Sequence, residues 1–252
     1  MIKLLIEGVG LSRSGHHAIL NWVLHNLVGF QIEWKFKMTL LNGTDVFLLD
    51  EANHDIPTSF KFIDEFLPKI GTLIVSYEDT FWDYTIFRED RNYYGPLSLN
   101  FKKEYHINYV NRFFVIRDFY DNLVSRIVAN NKVMGLEYGT NTPFYFKTDE
   151  IYIERWKNLA KACVEKKIPY IKFEDWQDNQ NKRTEFLYNT FGINEINKPD
   201  KVIGTKSSFG SDKKAKRFYD LDVLSDEIKN SIMKDNELHY LIGKLDYNYR
   251  EL

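Results

Sequence analysis

Residues 2–29 read IKLLIEGVGLSRSGHHAILNWVLHNLVG, and the change of period inside this stretch decides the fold class. Ile2 to Ile6 is a short apolar run with β-branched members. From Ala18 onward Ile19, Trp22, Val23 and Leu27 recur at helical spacing, and Gly29 is placed to stop the helix. Between the two lies GVGLSRSGHH, rich in the glycines that a tight turn needs. The opening is therefore expected to be strand, glycine turn, helix. A secretion signal would need a longer apolar stretch and a small-residue cleavage site, which this opening lacks.

The same alternation runs along the chain. Phe30 to Phe36 reads weakly as a strand, Val46 to Leu49 and Thr72 to Tyr77 read better, and residues 60–67 fit a short helix before Pro68. Phe113 to Ile116 is a buried-strand candidate, followed by a helix whose stripe is Phe119, Leu123, Ile127 and Val128 and which Gly135 closes. Asp149 to Lys166 predicts a helix with Tyr152, Trp156, Leu159, Ala160 and Cys163 on one face, leading through Pro169 to the strand YIKF. Residues 180–191 and the region beyond 222 read as further helices. Nearly continuous apolar strands alternating with helices fit an α/β fold, a central and mostly parallel sheet covered by helices on both faces.

The chain has 252 residues, and no repeat, low-complexity run or linker divides it, so one domain over 1–252 is expected. Residues 78–111 mix aromatics, charges and a Gly-Pro turn, and read as an insertion or lid across one end of the sheet. With 34 Lys and Arg against 36 Asp and Glu, the net charge is −2. That balance argues against a globally basic nucleic-acid binder but leaves room for a local anion pocket. Cys163 is the single cysteine, which excludes an intrachain disulfide and a thiolate-rich metal centre. His54 and His106 have no ligand spacing to His16 and His17, so no metal is expected. No run approaches the length of a membrane span. A cytoplasmic protein is expected, with oligomeric state unread.

Gly10-Leu-Ser-Arg-Ser-Gly15-His-His nearly follows the GxxxxGK(S/T) nucleotide loop, in the right context of preceding strand and following helix. First-turn helix amides lack intrahelical acceptors and converge on an anion. Arg13 supplies a positive charge from inside the loop, while His16 and His17 stand where Lys and the Mg²⁺-binding hydroxyl belong. Imidazole is a poor partner for hard Mg²⁺, so the loop favours a phosphate-bearing ligand and weakens a case for ATP hydrolysis. The competing reading is a structural strand–turn–helix with no ligand.

Ser12-Arg-Ser-Gly-His-His-Ala18 resembles the first signature of the sulfotransferases that use 3′-phosphoadenosine 5′-phosphosulfate (PAPS). The resemblance gives Arg13 the 5′-phosphosulfate and the leaving phosphate. It gives Ser12, Ser14, Gly15, His16 and His17 the 5′-phosphate cradle, and Ala18 stands in for a tryptophan near adenine. The family's second signature, an Arg at a strand end and a Ser eight positions on, both binding the 3′-phosphate, is matched by FFVIRDFYDNLVSR with Arg117 and Ser125. YIKFEDW at 170–176 is similar to a strand ending in Tyr-Glu-Asp, with Phe173 in the tyrosine's place. KSSFGSDKKAKRF at 206–218 resembles the late loop over adenine and the 3′-phosphate, giving Ser207, Phe209, Gly210 and Arg217 as binding residues.

The resemblance implies a P-loop-type fold and transfer of a sulfuryl group from PAPS to an acceptor hydroxyl or amine, with PAP as product and no metal required. A general base is then needed. Glu33, Glu78 and Glu51 are the acids near strand ends, with Glu33 ranked first because several carbohydrate-acting members keep a glutamate there. The acceptor is expected to be a small molecule or a glycan, for which Trp82, Tyr84, Phe87, Tyr93 and Tyr94 offer a platform or, equally, ordinary packing. A P-loop kinase or NTPase and a non-catalytic nucleotide-binding module are the alternatives.

Overall fold

The computed structural model describes residues 4–11, 14–28, 38–40, 46–49, 72–78, 109–134, 149–194, 221 and 224–250. In chain order the elements are β1 (Leu4–Gly10), α1 (His16–Val28), β2 (Met38–Leu40), β3 (Val46–Leu49), β4 (Thr72–Glu78), β5 (Tyr109–Ile116) and α2 (Phe119–Met134). There follow α3 (Asp149–Glu165), β6 (Tyr170–Lys172), α4 (Phe173–Asp178), α5 (Gln180–Phe191), α6 (Asp226–Lys234) and α7 (Asn236–Lys244).

The six strands form one sheet in the order β2-β3-β4-β1-β5-β6. β2 runs antiparallel to β3, and every other neighbouring pair is parallel. β1 is central: Leu4 lies opposite Thr72 and Tyr109, and Gly10 opposite Glu78 and Val115. The parallel register therefore brings Gly10, Glu78, Ile116 and Lys172 to one edge of the sheet.

Alternation along β5 explains why its sequence is an unbroken apolar run. Phe113 and Val115 face a core with Ile6, Ile74 and Ile171, capped by Ile19, Leu20, Trp22, Val23 and Leu24 of α1 and by Trp176, Phe186 and Leu187. Phe114 and Ile116 face the opposite core, shared with Val9, Val75, α2, α3, α6 and α7. A strand buried on both faces has no solvent side on which to place polar residues. Phe113 meets Phe186 and Phe191 edge-on, with ring centroids 5.6 and 5.8 Å apart. Truncating such a ring to alanine typically costs about 3–5 kcal/mol.

The α/β architecture expected from the sequence is the one observed. The face predicted for α3 is also buried: Trp156, Leu159, Ala160 and Cys163 lie within the core, with Tyr152 packed against it. Two local boundaries differ. β5 starts at Tyr109, so residues 109–111 belong to the sheet and not to a 78–111 insertion, while Glu78 closes β4. The polar Asn111 and Arg112 hid that first half of the strand. Arg112 lies opposite Glu7 on β1, and its Nε donates to the wholly buried Glu7 carboxylate at 2.8 Å. The last strand stops at Lys172, and Phe173 opens α4 instead of ending the strand. β2 lies at Met38–Leu40; the expected strand over Phe30–Phe36 and the helix over 60–67 lie outside the described residues. No helix among the described residues is long and apolar enough to cross a membrane.

Candidate anion site at the strand ends

β1 and β5 are neighbours, yet the helices that follow them cover opposite faces: α1 packs on one core and α2 on the other. In open α/β sheets a crevice forms where connections diverge in this way, outside the carboxyl ends of the strands. The described residues around that divergence are 10–11 and 14–16 of the turn, the β5–α2 junction at 117–118 and the β6–α4 junction at 172–174.

The turn after β1 is tightly specified. Ser14 N–H donates to the Leu11 carbonyl at 3.0 Å, and Gly15 then adopts φ +80°, a left-handed conformation that glycine alone takes without strain. Ile19 N–H donates to the Gly15 carbonyl, so α1 winds directly out of the turn. A Cβ on Gly15 would stand 2.2 Å from the Phe173 ring, so the absence of a side chain is what lets the ring approach the loop. At Gly10 a Cβ would come within 2.8 Å of the His16 ring. His16 is folded beneath the turn, buried, with Nε2 2.9 Å from the buried Ser76 Oγ on β4. Its imidazole braces helix against sheet, while its backbone remains at the start of α1. The Ser14 hydroxyl is buried and makes no hydrogen bond among the described residues. A buried hydroxyl in that condition is costly without a partner, and an oxyanion held by the turn would supply an acceptor.

The Arg117 guanidinium carbon sits 5.1 Å from the centroid of Phe173, the same ring that packs on Gly15. Arg117 is largely buried, and its carbonyl accepts a 2.9 Å hydrogen bond from Trp156 Nε1. Ser125 lies in the second turn of α2 and is fully buried. Phe173 thus links the glycine turn to the arginine signature, which are about one hundred residues apart in sequence.

Beside this wall is a charged cluster that the sequence pattern does not announce. Asp118 caps α2, its Oδ1 accepting from Asp121 N–H at 3.0 Å and from Arg250 Nη2 at 2.9 Å. Glu174 accepts from Asp118 N–H at 3.1 Å and from the Tyr247 hydroxyl at 3.0 Å. Burial pushes the Asp118 carboxyl up to about 6; the Asp121 amide and Arg250 oppose this, and the Asp121 and Glu174 carboxylates reinforce it. Burial also holds the Tyr247 phenol well above its ordinary range, with Glu174 and Asp118 adding to the effect. An aspartate directly before an amphipathic stripe is a legible helix cap. Tyr247 and Arg250 carry no such signal.

Of the residues singled out in the sequence, Gly15 and Arg117 both lie close to the Phe173 ring, and Ser14 and His16 flank Gly15 in the turn. His17 and Ala18 follow on the first turn of α1, the His17 ring 5.5 Å from that of His16. Glu78 stands at the same edge through its backbone pairing with Gly10. Ser12, Arg13, Glu33, Glu51, Ser207, Phe209, Gly210 and Arg217 lie outside the described residues, as does most of the 78–111 segment. No group of His, Cys, Asp and Glu among the described residues is arranged to hold a metal ion. Cys163 is buried, and its thiol is pushed far above the range of a reactive cysteine. Comparison of the chain with protein-family models, with curated proteins and with solved structures finds no match.

Proposed function

We propose that the crevice binds PAPS and that the protein transfers its sulfuryl group to an acceptor hydroxyl or amine. The observation that carries this reading is the Phe173 ring, which packs on Gly15 and also lies close to the Arg117 guanidinium. It sets a glycine turn suited to one phosphate within reach of a buried arginine suited to a second. Two phosphate positions flanking an aromatic ring match a 3′,5′-bisphosphorylated nucleoside better than a linear triphosphate. The position that holds the lysine of a nucleotide-hydrolysing loop is His16, whose ring is tied to Ser76. That disfavours a kinase or NTPase.

In this reading the turn and α1 amides, with the Ser14 hydroxyl, hold the 5′-phosphate, and Arg13 neutralises charge on the leaving group. Arg117 and Ser125 hold the 3′-phosphate, and Phe173 lines the nucleotide. Bound PAPS supplies the sulfuryl group and leaves as PAP. The acceptor proton goes to a carboxylate, one of Glu33, Glu78 and Glu51; Glu78, the last residue of β4, pairs through its backbone with Gly10 at the start of the turn. The acceptor class proposed first is a carbohydrate hydroxyl.

The test is calorimetry with 3′,5′-ADP, 5′-ADP and ATP, each with and without Mg²⁺, on the wild type and Arg117→Ala. Removing a charged donor from a buried phosphate site should weaken 3′,5′-ADP binding about 10- to 100-fold, independent of Mg²⁺. A preference for ATP with Mg²⁺ would return the kinase reading to first place. Binding of none of the three would favour a module without nucleotide chemistry.

A further inference from the structure

The residues next to Arg117 and Phe173 in sequence are both held by residues that follow α7, Arg250 and Tyr247. Asp118 follows Arg117, and Glu174 follows Phe173. One Glu174 oxygen accepts from the Asp118 amide, which fixes the β5–α2 junction against the start of α4. The other accepts from Tyr247, and Arg250 forks across Asp118 and Asp121 at 2.9 and 2.8 Å. The segment that carries these two residues is itself docked by the buried Leu245. Two cation–ring approaches fix its path: the Lys172 ammonium lies 4.8 Å from the Tyr247 ring centroid, and Arg250 lies 5.5 Å from that of Tyr120.

We propose that residues 245–250 form a strap across the ends of β5 and β6, and that Glu174, Tyr247 and Arg250 are positioning residues for Arg117 and Phe173. The inference rests on the reading of Arg117 as a 3′-phosphate ligand and goes beyond it by assigning the alignment of that arginine to the C-terminal segment. The mechanism is geometric. An arginine on a junction between strand and helix meets a phosphate productively only when its backbone is fixed. Here the fixing bonds come from the neighbouring residue, through one carboxylate shared by three segments. Leu245 provides apolar anchoring, which has no direction. The hydrogen bonds of Glu174 and Arg250 provide the direction.

The strap therefore sets selectivity for the 3′-phosphate more than it sets folding. The quantity to measure is the ratio of Kd for 5′-AMP to Kd for 3′,5′-ADP, by calorimetry at fixed pH and salt, in the wild type, Glu174→Ala, Glu174→Gln, Tyr247→Phe and Arg250→Ala. Thermal unfolding of each variant runs alongside. The ratio should fall about tenfold in Glu174→Ala and Arg250→Ala, and less in Tyr247→Phe, which loses one hydrogen bond. Glu174→Gln should rescue it, since an amide still accepts from Asp118 and pairs with the Tyr247 hydroxyl. A purely structural role would lower the unfolding temperature and leave the ratio of the folded protein unchanged. If Glu174→Ala does not fold, Arg250→Ala and Tyr247→Phe decide the matter. An unchanged ratio in the folded variants overturns the strap alone. A wild-type ratio near one overturns the PAPS reading and the strap with it.

Discussion

Two clusters of charge tie the C-terminal part of the chain to the body, and they differ in which force dominates. On α3, Lys157 Nζ lies 2.9 Å from Glu154, from Asp235 and from Glu237, and Lys161 also pairs with Glu237. Burial pushes the Lys157 ammonium down, but the three carboxylates outweigh it and hold it above its ordinary range. Burial likewise pushes up Asp235, which caps α7 through Leu238 N–H, but its bonds to Lys157 and to that amide hold it below the usual carboxylate range. At the strand ends the balance reverses. Burial of Asp118 exceeds the attraction of Arg250, and its carboxyl is poised near pH 6. One cluster is therefore closed across the neutral range, while the other changes charge within it.

The strongest way to break this comparison is at its closed end. Replacing Lys157 by Met leaves Glu154 and Asp235 without that cation and leaves Glu237 with Lys161 alone. Removing one partner of a fully buried pair costs about 3–5 kcal/mol. Glu154 and Glu237 are 60% and 43% exposed and can rehydrate, so the expected loss is smaller. We expect about 2 kcal/mol, seen as a fall of about 4–8 °C in Tm. The 3′-phosphate preference of the folded protein should stay as it was. If that preference falls as well, the two clusters are not separable.

The next effect is a pH dependence confined to the other cluster. Between the ordinary aspartate value near 3.8 and about 6, native Asp118 holds a proton that the unfolded chain has released. Stability contributed by this group is therefore present at low pH and lost as pH rises through the window. Asp118→Asn keeps the cap acceptor and removes the titration. Wild-type stability minus that of the variant should be about 1 kcal/mol greater at pH 5 than at pH 7, by urea unfolding. The Lys157 cluster predicts no slope over the same range. Its ammonium is lost only above the ordinary lysine value of about 10.4, and the depressed Asp235 and Glu237 titrate below the ordinary carboxylate range. A flat difference would mean that Asp118 is not desolvated as described.

A smaller effect sharpens the comparison from the Arg250 side. Its side chain is 24% exposed, and at pH 5 the Asp118 it faces holds a proton, so Arg250→Ala should there cost no more than about 1 kcal/mol of stability, although its effect on ligand selectivity is expected to be larger. Without this cation Asp118 is raised further, and the pH at which the difference from Asp118→Asn closes should move upward.

How far each cluster could be read from the sequence follows from its chemistry. The sheet and helices were legible wherever burial forced a period: Phe113 to Ile116 for a strand buried on both faces, and Trp156, Leu159, Ala160 and Cys163 for one helical face. The glycine turn was legible because Gly15 leaves a trace where a side chain cannot stand. The first half of β5 was not, because Arg112 finds its partner on β1, 105 residues away in sequence. The same holds for Arg250 with Asp118 and for Tyr247 with Glu174, separated by 132 and 73 residues. Charged pairs have no period, and their partners are fixed by topology that the local sequence does not carry. Thus Phe173 and Glu174 both fall in the quoted YIKFEDW motif, while the partners that Glu174 holds, Asp118 and Tyr247, do not follow from it.

The smallest prediction sets the floor for all the others. Lys182 and Glu185 on α5 form an i,i+3 pair at 3.1 Å with side chains 55% and 58% exposed. The carboxylate raises the lysine above its ordinary value, as in the Lys157 cluster, but water surrounds both groups. Screening and the entropy of ordering two long side chains leave such pairs worth about 0.3–0.5 kcal/mol at most. Lys182→Ala should therefore shift Tm by less than about 2 °C, and the shift should shrink further in roughly 0.5 M NaCl. A loss comparable to that of Lys157→Met would show that carboxylate pairing alone sets the effect. A loss near zero would assign the Lys157 effect to burial.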